Sequence, residues 1–297
     1  MYLPFIFLLI FSSINHLDLH NFLAEKFLFI HNHCIQLTPF NSPWQWIYRS
    51  LLCGSSSPSN ISLVQSMKTL GLYHLLVISG LHILSLEKAV SFCCRRNKAL
   101  TLLSLFIFCL ACQMRPPVTR AFLALLINYF QKQRKLFWSP VQRAWATGCL
   151  TLFLFPEWWS SFSFLLSWAA SLLISLPIKR PLIKITFLYL GLQPLLLSFS
   201  PLSPLSILIN WALTPLWILW VLPMSLLGLV PPLSPYVDKF WESLNILFSA
   251  LTDHFFLSAT ASPSLPFSLS SAWIYLFLLF LTLGLWEILW KKPYFSF

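Results

Sequence analysis

From Leu70 onward the apolar residues come in blocks, not in alternation, and short polar or proline-rich breaks separate the blocks. Nine such blocks follow one another, at 70–92, 99–114, 116–130, 141–155, 158–177, 185–200, 205–230, 240–257 and 271–290. Blocks of this length without a period-2 pattern predict helices. A helix that crosses a bilayer needs about 20 apolar residues. Several blocks are shorter, which predicts half-helices buried within protein alongside full crossings. Proline recurs inside and between the later blocks, at Pro194, Pro201, Pro204, Pro215 and Pro223, and in apolar helices it marks kinks and breaks. The pattern therefore predicts an all-α polytopic membrane protein of about 8–10 transmembrane or re-entrant helices, several broken at proline.

Three regions follow. Residues 1–14 are apolar but short, and no Lys or Arg precedes them; they read as a signal anchor or a short membrane segment. Residues 15–69 are the least hydrophobic stretch, with Asp18, Glu25, Lys26 and the Gly54–Asn60 run of small polar residues. They read as an extramembrane loop carrying interfacial helices, where Trp44, Trp46 and Tyr48 suit a membrane surface. Residues 70–297 form the multi-spanning domain. Within it, Asp238–His254 mixes charges with apolar positions and reads as an interfacial amphipathic helix.

Composition narrows the class. Only 9% of the 297 residues are charged and 58% are hydrophobic, against about 25% charged in a soluble domain. An ordinary water-soluble globule is excluded, and so is disorder, which needs low hydrophobicity. The net charge is +11. Most of it falls in four short groups: Arg95, Arg96 and Lys98; Lys132, Arg134, Lys135 and Arg143; Lys179, Arg180 and Lys184; Lys291 and Lys292. Two apolar blocks separate the first group from the second, and two more the second from the third. All three can lie on one side, which the positive-inside rule makes the cytoplasm. The excess charge is thus weak grounds for a nucleic-acid partner. The seven cysteines are odd in number, and the Cys109–Cys112 pair lies in an apolar block. They read as small buried hydrophobes, not as a disulfide framework.

Candidate chemistry sits in few places. Gly71–Ile83 puts His74 and His82 in an otherwise apolar block. On a continuous helix the two would share one broad face, and Ser79 would touch His82. That face either lines a polar path or bonds to a neighbouring helix, with Gly71 and Gly80 allowing close approach. A Ser79–His82 nucleophile lacks an orienting carboxylate. Arg115 and Arg120 flank Pro116 and Pro117; they either reach toward headgroups or present guanidinium groups to phosphate. Asn210 precedes Pro215 by five residues, a spacing suited to a helix break or to interhelical packing. His31-Asn32-His33-Cys34 has ligand-type residues but no second ligand pair, so no metal is expected. No phosphate-binding loop or dinucleotide fingerprint is present, and no cofactor or enzymatic activity is expected.

The Gly71–Ile83 run resembles the signature of the ComEC competence family, the inner-membrane channel proteins for DNA uptake. Further elements resemble that family in the same order: Pro117-Val118-Thr119-Arg120-Ala121, then Leu154-Phe155-Pro156 with Phe162–Ser167, then Asn210 with Pro215. Phe164 and Leu165 stand where a Gln-Leu pair is common. The resemblance implies a channel subunit of the bacterial inner membrane that imports single-stranded DNA during transformation. It places His74, Ser79, His82, Arg115, Arg120 and Asn210 on the DNA path or in its support, with Gly71, Gly80 and Pro215 in helix packing. The implied partners are single-stranded DNA, the lipid bilayer, a helicase-type motor, a periplasmic DNA receptor, a separate nuclease and further copies of the chain. The metallo-β-lactamase-like domain of many relatives has no counterpart here, because its His-x-His-x-Asp-His run is absent. The other reading is a non-DNA polytopic transporter or a degenerate structural membrane subunit.

Overall fold

A computed structural model describes residues 25–56, 58, 61–76, 79–95, 97–196, 205–256 and 268–290. The expected first membrane segment, residues 1–14, lies outside them. Among the described residues the chain is helical, without a strand. In chain order the helices are α1 (Leu28–Leu37), α2 (Gln45–Leu52), α3 (Ser62–Thr69), α4 (Tyr73–Leu76) and α5 (Gly80–Cys93). Then come α6 (Lys98–Ala111), α7 (Pro116–Arg134), α8 (Pro140–Leu154), α9 (Phe162–Ile174) and α10 (Pro181–Leu196). Last are α11 (Leu205–Leu216), α12 (Leu222–Leu227), α13 (Ser234–Phe256) and α14 (Leu269–Trp290). A 3₁₀ turn at Pro156–Ser160 precedes α9, and a π turn at Trp217–Val221 joins α11 to α12.

The helices are shorter than the apolar blocks that foreshadow them. Among the described residues none is both long and apolar enough to cross a membrane. Two causes are visible. Turns subdivide the blocks: 70–92 becomes α4 and α5, and 205–230 becomes α11, the π turn and α12. The longer helices also carry charge, Arg120, Lys132 and Arg134 in α7 and Asp238, Lys239, Glu242 and Asp253 in α13. The side chains of α14 are described only as far as Gly284.

Local signals fix several ends. Asn97 caps α6, its side-chain oxygen accepting from the amides of Ala99 at 3.1 Å and Leu100 at 3.3 Å. Ser139 and Gln142 form a reciprocal capping box at the start of α8. Gly71, with φ +72°, ends α3; its amide donates to Lys68 O, and Leu72 donates to Met67 O, the paired bonds of a left-handed C-cap. At the end of α6 the same pair of bonds forms around Gln113, which takes φ 52° where glycine is usual, and Met114 follows at 49°.

The described residues fall into two compact units, each assembled from distant stretches of chain. One takes residues 25–122 and 205–256. Its core holds Ile47, Tyr48 and Leu51 of α2, Leu63, Val64 and Met67 of α3, and Val237, Trp241 and Phe248 of α13. The described residues of the 15–69 stretch, from Glu25 on, are thus packed into this unit. Ser42 Oγ and Tyr48 OH both donate to Asp238 Oδ1, at 2.7 and 3.0 Å, tying α13 to α2. The expected lack of disulfides is corrected here: Cys34 at the end of α1 is bonded to Cys53, just beyond α2. The two cysteines lie 19 positions apart with α2 between them, so sequence spacing did not suggest their meeting.

The other unit takes residues 123–196 and 268–290. In it α9 packs against α8, α10 and α14. Its centre is aromatic. Trp168 is buried, its indole N–H donates to Ala144 O at 3.1 Å, and Trp145 meets it edge-on at 4.8 Å. Gly148 makes the room, since a Cβ there would fall 1.9 Å from Trp168 Cε2.

Candidate functional site

The candidate residues of the first unit gather at two places. One is the carbonyl of Gly71. His74 Nδ1 lies 3.1 Å from it and Asn210 Nδ2 donates to it at 3.4 Å. The left-handed turn at Gly71 aims this carbonyl out of α3, where a side chain 139 positions away reaches it. Gly71 therefore works as a helix terminus and an acceptor, not as a smooth face within a longer helix. Pro215 lies in α11, immediately before the π turn. Its side chain is outside the described residues.

The second place is the start of α5. The continuous helix expected across Gly71–Ile83 does not form. Ser79 is extended, at φ −130° and ψ 170°, and serves as N-cap of a new helix. The face shared by His74 and His82 is lost with the break, because helical phase does not carry across an extended residue. Ser79 and His82 do meet, through the cap. The Ser79 amide donates to His82 Nδ1 at 3.1 Å, and Ser79 Oγ lies 2.9 Å from the same nitrogen. This is the N3-to-N-cap half of a capping box, with imidazole in the place usually held by Glu or Gln. An amide can only donate, so Nδ1 must accept and the ring proton sits on Nε2. His82 is 4% exposed, and Nε2 has no hydrogen-bond partner among the described residues.

Gly80, the first residue of α5, faces the first turns of α7. A Cβ there would lie 3.2 Å from Ala121 Cβ, 3.8 Å from Arg120 Nη2 and 3.9 Å from Pro117 O. Glycine thus lets the cap of α5 approach the Arg120 guanidinium. Arg120 is 8% exposed and has interactions of its own, so its charge is not orphaned. Beside it Thr119 is buried, and its hydroxyl oxygen has no hydrogen-bond partner among the described residues. A buried guanidinium with nearby unpaired polar atoms is costly in a purely structural core, and it suits an anionic or hydrogen-bonding occupant. In the sequence Thr119 stands out only as part of the Pro117–Ala121 element. Its burial depends on packing that no periodicity encodes.

The α6–α7 turn that carries Arg115 is held from the N-terminal side. His31 Nδ1 donates to Ala111 O at 2.7 Å, and Cys112 Sγ donates to Leu52 O at 3.6 Å. Gly54, at φ +70°, packs so closely that a Cβ would be 3.2 Å from Cys112 Cα. The Cys34–Cys53 bond fastens together the two segments that make these contacts. His31 is therefore engaged with backbone, and among the described residues no group of three His, Cys, Asp or Glu side chains is placed to hold a metal.

The profile of the family described as "Competence protein" matches residues 51–293, a range that contains His74, Ser79, His82, Arg115, Arg120 and Asn210. A relative from Aquifex aeolicus, named as an uncharacterized protein, is 35% identical over 159 residues, 49% of this chain and 38% of that relative's length. No solved structure matches. The match spans most of the chain and both places where the candidate side chains gather, so this chain belongs to the ComEC-type competence protein family.

Proposed function

We propose that the chain is a channel subunit of the bacterial inner membrane that admits single-stranded DNA during transformation. Membership of the competence family points to a role in DNA uptake; the channel itself is our reading. The observation that carries it is the approach of the Ser79–His82 cap, through Gly80, to the buried guanidinium of Arg120. A polyanion needs donors along a path that hydrocarbon does not supply. Arg120 would meet phosphate, His82 would offer its Nε2 proton, and Arg115 would stand beside them on the α6–α7 turn. His74 and Asn210 would hold the Gly71 carbonyl and so fix the approach to the break.

Membrane embedding is supported by what the helices expose. Leu100, Leu103 and Ile107 lie exposed along one side of α6, and Leu182, Ile183, Phe187 and Leu190 along α10. Apolar stripes of this extent suit lipid better than water. Short and broken helices are compatible with a bilayer where they are buried in protein or line a cavity. Translocation would be driven by a helicase-type motor inside and a DNA receptor outside, with a separate nuclease and further copies of the chain as partners.

Uptake of labelled DNA in a deletion strain tests the reading, with rescue by wild type, Arg120→Ala and His82→Ala at matched protein levels. Loss of uptake on deletion and failure of the Arg120→Ala rescue are expected. Normal internalisation in the deletion strain would sink the channel and favour a non-DNA transporter or a structural subunit.

A further inference from the structure

The hairpin between α7 and α8 carries an exposed group that the DNA path does not use. Leu136, Phe137 and Trp138 are consecutive and exposed, Phe137 at 98%. Lys132, Arg134 and Lys135 are exposed just before them. No acidic residue occurs between Glu87 and Glu157, so nothing nearby in sequence neutralises these bases. The exposure is built in. The turn leaves α7 through Lys135 at φ 52°, with Leu136 N–H returning to Gln131 O at 3.0 Å. It enters α8 through the Ser139–Gln142 capping box, and Arg143 Nη1 donates to Asn128 Oδ1 at 2.8 Å, bracing the two helices. Fixed at both ends, the turn presents Phe137 outward with Leu136 and Trp138 half exposed beside it.

We infer that this tip docks on the anionic surface of the bilayer, with Leu136, Phe137 and Trp138 entering the acyl boundary and Lys132, Arg134 and Lys135 on phospholipid headgroups. The inference rests on the membrane reading above. Positive charge beside an exposed apolar triad complements a surface that is negative outside and apolar within. Single-stranded DNA would use the same charge, but it binds protein by stacking bases on ring faces. Leu136 offers no such face, whereas all three residues gain from burial in lipid. Basic residues near an anionic leaflet contribute about fivefold each to binding.

The test uses the full-length protein with Phe137→benzoylphenylalanine, reconstituted into phosphatidylcholine vesicles with or without phosphatidylglycerol, and photolysed with and without a labelled oligonucleotide. A lipid adduct is expected, several-fold stronger with phosphatidylglycerol. That dependence should vanish in the Lys132→Gln, Arg134→Gln, Lys135→Gln variant. An adduct to the oligonucleotide in preference to lipid would overturn the inference. Alkaline extraction of the same vesicles separates the two levels. A chain that resists extraction yet gives no lipid adduct overturns this inference alone, and a chain that is extracted overturns the membrane reading with it.

Discussion

Replacing His82 with alanine sets the polar geometry of the α5 cap against ordinary core burial. The side chain is only 4% exposed, and truncating a large buried side chain commonly costs about 2–5 kcal/mol. The hydrogen bonds lead to a different figure. Alanine removes the acceptor for the Ser79 amide, a capping loss of about 1 kcal/mol. It also removes the partner of the Ser79 hydroxyl, about another 1 kcal/mol. Against these it deletes the buried Nε2–H that has no partner, relieving a penalty of about 1–3 kcal/mol. The polar terms together come within about 1 kcal/mol of zero, a shift of a few degrees in Tm if the cavity is refilled. His82→Gln should keep the cap, because its side-chain oxygen can accept from the Ser79 amide. Thermal unfolding of the purified full-length protein, followed by circular dichroism, reads both variants. A fall of more than about 3 kcal/mol for His82→Ala would refute the balance drawn here. Equal loss in the alanine and glutamine variants would show that the cap is not what His82 supplies. If both variants stay folded and DNA uptake still drops more than tenfold, the Nε2 proton has a use beyond the cap.

Other outcomes follow from the packing. Gly148→Ala should lower Tm, because overpacking against Trp168 costs about 1–3 kcal/mol and outweighs a helix-propensity gain of about 1 kcal/mol. In a Trp168→Leu background the sign should reverse, since the added methyl then enters vacated space; a second drop would refute the contact. Cys34→Ser should cost about 3 kcal/mol, from the loop-entropy relation for residues 19 apart. Alkylation before and after reduction, read by mass spectrometry, should show two extra labels in wild type and none in the variant, where Cys53 is already a free thiol. Burial and the Asp238 carboxylate push the Tyr48 phenol up from its ordinary value. Its folded state therefore holds the proton more tightly than the unfolded chain, and stability should fall as pH rises above about 10. Tyr48→Phe should flatten that alkaline limb, and an unchanged limb would remove Tyr48 as its source.

Helical class was legible because apolar blocks have no other regular form at these lengths. The contact between Ser79 and His82 was legible too, since three positions apart is close in a helix or at its cap. The break between them was not. Apart from its histidines and Ser79, Gly71–Ile83 reads as apolar, and hydrophobicity cannot distinguish one buried helix from two. The capping box at Ser139 and Gln142 could have been read, and so could the cap at Asn97, because each uses a residue type suited to its position. Asn210 with Gly71, and His31 with Ala111, join positions 139 and 80 apart. Such pairs depend on the whole packing arrangement, and no local pattern announces them. The Cys34–Cys53 pair escapes sequence reading for the same reason.

The interleaving of the two units bears on the order in which the chain can fold during synthesis. Residues 25–122 are not covered until 205–256 arrive, and 123–196 wait for 268–290. When α3 leaves the ribosome, Leu63, Val64 and Met67 have no α13 to bury them. Some 170 further residues must be made before Val237 and Trp241 come within reach. Nascent chains halted before Ser234 should therefore be easy prey for proteases and chaperones, and neither half can act as a finished nucleus for the other.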